Sequence, residues 1–173
     1  MMSFVIPALV QAFLVTSDDD MAVKLMVSMD RQTLEVIKGG RVVACFPVST
    51  SARGPGCEEG SFRTPTGRFR IVEAIGGGMP SGTIFKARLP VGQWSPGNDT
   101  DEDLVLTRIL RLDGLDSWNR NTLARFVYIH GTNDEEAVGR PAGHGCVRLR
   151  NADMIRLFDM TKVGDELEII ATG

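Results

Sequence analysis

Residues 22 to 49 read "AVKLMVSM", then "TLEVI", the turn "KGG" and "RVVACFPVS". Alternation of apolar and polar residues with a period of two places one set of side chains on a single sheet face, so the stretch predicts a meander of antiparallel strands. "SFRTPTGRFRIVEA" adds a Thr-Pro-Thr-Gly turn and a further strand, because proline pre-sets a turn and glycine supplies any positive φ it needs. "DLVLTRILRL", "RFVYIH" and "ELEII" continue the strand pattern. The clearest helix is "NADMIRLFDM", with Asn151 as N-cap, Asp153 in the first turn and Met154, Ile155 and Phe158 on one apolar side. Residues 75–83 and 90–103 are polar and glycine-containing and predict loops. The fold class is mainly β, with a few short helices.

At 173 residues and 43% hydrophobic content, one domain with a sizeable core is expected. Nineteen basic against 22 acidic residues, with no Lys/Arg-rich run, make nucleic acid an unexpected partner. The start, "MMSFVIPALVQAFLVTSDDD", is apolar from Phe4 to Val15 but carries no Lys or Arg before that run. It is too short to span a bilayer, and Phe4, Leu9, Val10, Phe13 and Leu14 recur at near-helical spacing. Residues 1–20 are therefore a packing helix or a weak leader, residues 21–173 the main domain, and no integral membrane segment is expected. No pattern specifies an oligomeric state. Asp99, Asp101 and Asp103 imitate the start of a calcium loop, but Leu104 and Leu110 replace its glycine and glutamate, so solvated acid is expected. Asp18 to Asp20 read the same way, and "GGG" at 76–78 lacks the Lys-Ser/Thr of a phosphate loop.

Cys45, Cys57 and Cys146 are an odd set without C-x-x-C spacing, which signals neither a disulfide framework nor a four-thiolate zinc site. The only two histidines, His130 and His144, both fall within 16 residues of Cys146. A thiol is a weak nucleophile until an imidazole takes its proton or stabilises its thiolate, so a Cys/His site is chemically sensible. If residues 144 to 148 are extended, His144, Cys146 and Arg148 share one face and Val147 and Leu149 the other. A cross-strand partner reaches the sulfur more easily than a residue two along the strand. His130, ending "RFVYIH" beside Tyr128, is accordingly the expected base, and His144 shapes the pocket. Gly143 and Gly145 clear space for an acyl group beside backbone N–H groups, and Arg148 is placed to hold a carboxylate. Together these predict acyl transfer on an acidic peptide.

"HGT" at 130–132 followed by "GRPAGHGCVRL" at 139–149 resembles the catalytic signature of the L,D-transpeptidases, the YkuD-type domain that remodels bacterial peptidoglycan. "FPVSTS" at 46–51, "GSFRTPTGRFRI" at 60–71, "TRILRLDG" at 107–114 and the closing "NADMIRLFDMTKVGDELEII" extend the resemblance over about residues 22 to 171. It implies a YkuD-like β-sandwich, peptidoglycan stem peptides as substrate, no cofactor, and a place in the cell envelope or periplasm. It further implies that Cys146 attacks a tetrapeptide stem, releases D-alanine and forms a thioester that an amine resolves into a cross-link. On this pattern His130 is the base and the Gly131 carbonyl orients it. His144 lines the pocket, the N–H groups of Gly145 and Cys146 form an oxyanion hole, and Arg148 meets substrate carboxylate. The family usually carries Ser or Thr before His-Gly-Cys, where this chain has Gly143.

Other readings have distinct signatures. Cys146 as a buried small hydrophobe leaves the flanking glycines and histidines unexplained. Zinc on His130, His144 and Cys146 would need an H-x13-H-x-C spacing that is not a recognised pattern. Water instead of an amine would make the chain an L,D-carboxypeptidase, and loss of the hydroxyl at Gly143 would suit a peptidoglycan-binding module without turnover. Cys45 is expected in the core, Cys57 in a loop, and Trp94 and Trp118 are candidates for a groove or for loop packing.

Overall fold

The structure is a computed structural model that describes residues 22–98 and 100–172. The expected N-terminal helix lies outside the described residues. The first three strands, β1 (Val23–Ser28), β2 (Thr33–Lys38) and β3 (Arg41–Pro47), form the predicted antiparallel meander. Gly39 and Gly40, at φ 53° and 70°, make the two-residue turn between Lys38 and Arg41. The alternation has the anticipated cause: Val23, Leu25 and Val27 of β1 and Leu34 and Val36 of β2 point into the core.

The sheet continues through β4 (Gly67–Ile75), β5 (Thr83–Lys86), β6 (Leu89–Gln93), β7 (Val105–Gly114), β8 (Tyr128–Gly131), β9 (Val147–Leu149) and β10 (Glu166–Ile170). Its order is β3-β2-β1-β10-β4-β7-β5-β6, with β8 paired to β7 and β9 paired to β8. Leu25, Phe46, Phe69, Ile71, Leu110, Leu112, Ile129 and Leu149 fill the main core, together with Met154 and Leu157 from helix α1 (Asn151–Met160). Each such side chain contributes about 1.5–3 kcal/mol by leaving water. β8, between β7 and β9, and the short β9 beside it are thus pinned from behind by Ile129, Val147 and Leu149 in the core. They are a rigid base for whatever sits at their ends.

Three local expectations are corrected. Residues 90–93, read as loop, belong to β6, whose five residues are all exposed and so show no apolar face. Its hairpin turn is Ala87-Arg88 at φ 47° and 68°, a conformation normally marked by Gly or Asn that this sequence leaves unmarked. The strand at "RFVYIH" begins only at Tyr128, because Phe126 has φ 56° and turns the chain. Asn151 is the first helical residue and not the N-cap. Its N–H is satisfied by Glu135 Oε1 at 2.7 Å, and its side chain points inward.

Candidate active site

β8 lies antiparallel to β7 and parallel to β9, with Ile129 opposite Val147 and His130 opposite Arg148. Cys146 directly precedes β9, which brings its sulfur to the backbone of the residues leading into β8. The Tyr128 N–H donates to Sγ at 3.3 Å, and the thiol faces the Phe126 carbonyl at 3.6 Å. His130 is 2% exposed, and its Nδ1 is 2.7 Å from the Gly131 carbonyl oxygen. A carbonyl only accepts, so Nδ1 carries the hydrogen and Nε2 keeps its lone pair.

The local sequence explains why this geometry holds. A side chain at position 131 would collide with the Asn151 amide oxygen and lie 2.9 Å from the Leu106 carbonyl, so only glycine fits. Asn151 is fixed in turn by donating to Thr132 O at 2.9 Å and Glu135 Oε1 at 2.8 Å, and by accepting from the Thr107 hydroxyl. Thr107 itself is buried at φ 72°, at the register shift where β7 leaves β8. A β-branched residue in that region is strained by about 1–3 kcal/mol, held by the packing around it.

Electrostatically, Cys146 and His130 both rest uncharged near neutral pH. Burial pushes the Cys146 thiol up to about 11, against the partial relief of the Tyr128 N–H. The sulfur opens on a groove, yet dense protein surrounds its other sides. Burial also holds His130 below its ordinary 6.5, opposed by the Gly131 carbonyl and the charge of Asp103. A neutral imidazole and a neutral thiol suit proton removal during attack more than a preformed ion pair.

The loop before Cys146 is placed differently from the expectation of a continuous strand. Only Val147–Leu149 is extended, and Gly145 at φ 126° turns the chain between His144 and Cys146. The side chain of His144 is 66% exposed and stands between Asp103 Oδ2, at 3.1 Å from Nδ1, and the edge of Phe62 at 6.4 Å between ring centroids. Val147 and Leu149 face the main core as expected, which leaves Arg148 on the other face, opposite His130, but buried instead of open to the groove. The Arg148 side chain is 3% exposed, with Nη1 on Asp103 Oδ1 at 3.0 Å and Nη2 on Ser49 Oγ at 2.9 Å. The expectation that Arg148 meets a substrate carboxylate is therefore corrected: it is buried and already paired. Tyr128, expected to touch substrate, is 8% exposed and its phenol oxygen accepts from Arg88 Nη1 at 3.3 Å. Its contact with the site is through the main chain.

Asp103 is the residue that the sequence reading missed. It was expected to be solvated, but it bridges His144 and Arg148 across 41 and 45 residues of chain. Burial raises its carboxyl, but the His144 hydrogen bond and the Arg148 charge outweigh this and hold it below 3.8. No local pattern marks it, because its partners meet it only through the fold. Gly143 faces Arg148 too: a Cβ there would lie 3.1 Å from Arg148 Nε, and its N–H donates to Thr50 O at 2.8 Å. A side chain at this position would first meet Arg148 and the Thr50 carbonyl.

A cavity of about 420 Å³ opens at the sulfur, lined among others by Glu59, Phe62, Arg125, Phe126, His144 and Cys146. Phe62 and Phe126 stand on its walls more than half exposed, at φ 57° and 56°, each under a guanidinium, Arg53 at 5.2 Å and Arg88 at 5.9 Å. A separate hollow of about 380 Å³ takes Trp94 but not the thiol, and Trp118 is exposed with its indole on the Thr66 carbonyl. Cys45, expected in the core, is exposed on edge strand β3, and Cys57 is half-buried. Among the described residues no group of three or more His, Cys, Asp or Glu side chains could hold a metal ion, and no helix is long and apolar enough to cross a membrane.

With this geometry in place, comparison with known proteins identifies the frame. The family model described as the L,D-transpeptidase catalytic domain, YkuD, matches residues 22–169. The chain belongs to that family. Among curated relatives, the probable L,D-transpeptidase YbiS of Escherichia coli K12 is 44% identical over 48 residues, 28% of this chain and 16% of that protein. The probable L,D-transpeptidase ErfK/SrfK of Salmonella typhimurium gives the same identity and coverage. The matched region thus spans well under a third of either relative. Among solved structures, an L,D-transpeptidase from Xylanimonas cellulosilytica superposes with a TM-score of 0.58 at 21% identity, over 87% of this chain and 61% of that one. L,D-transpeptidase 3 of Mycobacterium tuberculosis gives 0.54 at 18% identity, over 86% and 61%. These likenesses establish the mainly β YkuD fold.

Proposed function

We propose that the chain catalyses cysteine acyl transfer on peptidoglycan stem peptides, releasing D-alanine and forming a thioester on Cys146 that an amine resolves into a cross-link. The observation that supports this is the His130–Gly131 lock: Nδ1 is committed to a carbonyl, so Nε2 is left free to act as a base, on the same short strand whose first residue, Tyr128, donates its N–H to the thiol. As Sγ leaves the Tyr128 N–H to attack the stem carbonyl, its proton passes to Nε2. The carbonyl π electrons move onto oxygen, where the N–H groups of Gly145 and Cys146 receive the negative charge. Collapse of that intermediate breaks the C–N bond to D-alanine, and His130 returns the proton to the leaving nitrogen. An acceptor amine then attacks the thioester, gives its proton to His130 and regenerates the thiol. Gly143 does not weaken this reading, because its bare face meets Arg148. A substrate outside the cytoplasm assigns the protein to the cell envelope or periplasm.

Intact-mass analysis after mixing the protein and Cys146→Ala with disaccharide-tetrapeptide tests the reading. A Cys146-dependent adduct with released D-alanine supports it, and cross-linked dimer against tripeptide separates amine from water as acceptor. Stem binding with neither adduct nor turnover would overturn catalysis in favour of a binding module.

A further inference from the structure

Arg148 is withdrawn into the protein, which leaves the thiol groove in need of another anion contact if its substrate is acidic. Two features single out Arg125. First, it lines the same cavity as Cys146, whereas Arg53 and Arg88 stack on the aromatic rims and are not among its lining residues. Second, its charge is held entirely by neutral acceptors: Nη1 donates to Gly56 O at 3.2 Å, and Nη2 to Arg63 O at 2.8 Å and Ser61 Oγ at 3.4 Å. Among the described residues no carboxylate reaches it at ion-pair distance, although Glu59 lines the same cavity. A guanidinium has about five N–H donors, so these three bonds leave two uncommitted. Among the lining residues Arg125 is the only Lys or Arg.

We propose that Arg125 is the carboxylate-recognition residue of the Cys146 groove, and that its partner is a free carboxylate of the acyl donor. The three main-chain and hydroxyl contacts pre-position the guanidinium, so little side-chain freedom is lost on binding. An uncompensated cation beside the thiol also favours thiolate, and Arg125 is among the groups that lower the Cys146 value. The proposal deepens the acyl-transfer reading and rests on it only for the identity of the donor, since the anion site itself is a property of this chain.

The test compares iodoacetate with iodoacetamide, which differ in a carboxylate against a carboxamide, as alkylators of Cys146. Both consume the same thiolate, so their rate ratio at one pH cancels any change in thiol acidity. Cys45 and Cys57, read by peptide mass spectrometry in the same sample, are internal references. A charge-assisted contact predicts that Arg125→Gln lowers the iodoacetate-to-iodoacetamide ratio at Cys146 about tenfold, with Arg125→Lys retaining part of the preference. An unchanged ratio in Arg125→Gln would overturn the proposal. The second arm changes the ligand and leaves the fold alone: binding of disaccharide-tetrapeptides amidated at one carboxylate at a time, measured on Cys146→Ala and Cys146→Ala/Arg125→Gln. The carboxylate whose amidation weakens binding only when Arg125 is present is the one recognised. Loss of iodoacetate preference together with no stem binding would keep the anion site and overturn the peptidoglycan reading.

Discussion

The two histidines stand at opposite extremes of one site. His130 is buried in a central strand and held by a main-chain carbonyl, whereas His144 stands on an open loop and is held by a carboxylate that also serves Arg148. Burial and a carbonyl partner favour a neutral imidazole with one defined tautomer, as a general base requires. Exposure and a carboxylate partner favour a side chain that shapes the groove wall and responds to what enters it. On the proposed mechanism the same residue type is thus given two tasks by what surrounds it. Replacing each one should separate the tasks. His130→Ala is expected to slow Cys146 acylation about a thousandfold. His144→Ala should slow it about tenfold or less, with stability within about 0.5 kcal/mol of the parent because that side chain is exposed. Single-turnover mass spectrometry measures both, and equal losses would collapse the distinction.

The next effect concerns Asp103, which joins the two sides. Arg148→Ala leaves Asp103 without its cation and Ser49 without its donor, in a place where Arg148 is 3% exposed. Breaking a buried pair on one side costs about 3 kcal/mol, which for a chain of this size lowers Tm by about 6–12 °C. Calorimetry should show that drop in Arg148→Ala but not in His144→Ala. A small shift in both would place Asp103 in the solvent after all.

How much of this was legible in the sequence follows from where each signal lives. The meander, the helix and the His130, Gly131, His144 and Cys146 set announce themselves locally, through period-two alternation, an apolar stripe at helical spacing and glycine-flanked chemistry. The β5–β6 hairpin did not, because Ala87 and Arg88 adopt positive φ without a glycine and β6 buries no face. The burial of Arg148 was unmarked for a related reason: alternation gives the face of a side chain and not what covers it, and its partners Asp103 and Ser49 come from distant parts of the chain. Asp103 and Arg125 act through contacts made across more than 40 residues, and nothing near them in the chain distinguishes them from surface charge.

Acid titration sharpens the contrast between the histidines. The folded value of His130 lies below 6.5, so below pH 6.5 the unfolded chain binds a proton that the folded chain does not. Stability therefore falls as pH drops through that window, by up to about 1.4 kcal/mol per pH unit. The carboxylates with lowered values, Asp30, Asp103 and Asp116, contribute stability above 3.8 that is lost only below it, so they leave the window between 3.8 and 6.5 largely to His130. Denaturant titrations at pH 7 and pH 5 should show the loss in the parent and in His144→Gln, and a flatter profile in His130→Gln. The acid limb of kcat/KM should likewise have its midpoint below 6.5, and Asp103→Asn should move it lower still by removing a charge that raises His130.

The smallest effect tests Gly143, where the signature this chain resembles carries Ser or Thr. Arg148 Nε is buried without a hydrogen-bond partner, and Gly143 is the residue whose missing side chain faces it. Gly143 lies outside the left-handed region, so an L-residue fits its backbone. A Cβ would sit 3.1 Å from Nε, 3.5 Å from Arg148 Cδ and 3.3 Å from the Thr50 carbonyl, which requires the guanidinium to give by a few tenths of an ångström. In Gly143→Ser the hydroxyl oxygen accepts from Nε and relieves a buried unpaired donor, for a net gain of about 1 kcal/mol and a Tm higher by about 2–4 °C. Gly143→Ala adds the same crowding without an acceptor and should be neutral or destabilised. Neither should change Cys146 alkylation, because a side chain at 143 meets Arg148, whereas the thiol is held by the Tyr128 N–H and the Phe126 carbonyl. If alanine and serine stabilised equally, the gain would be packing and the orphan donor would already be satisfied by water. If serine alone raised both Tm and the alkylation rate, the open and buried sides of the site would be coupled through Arg148 and Asp103 more tightly than their separate histidines suggest.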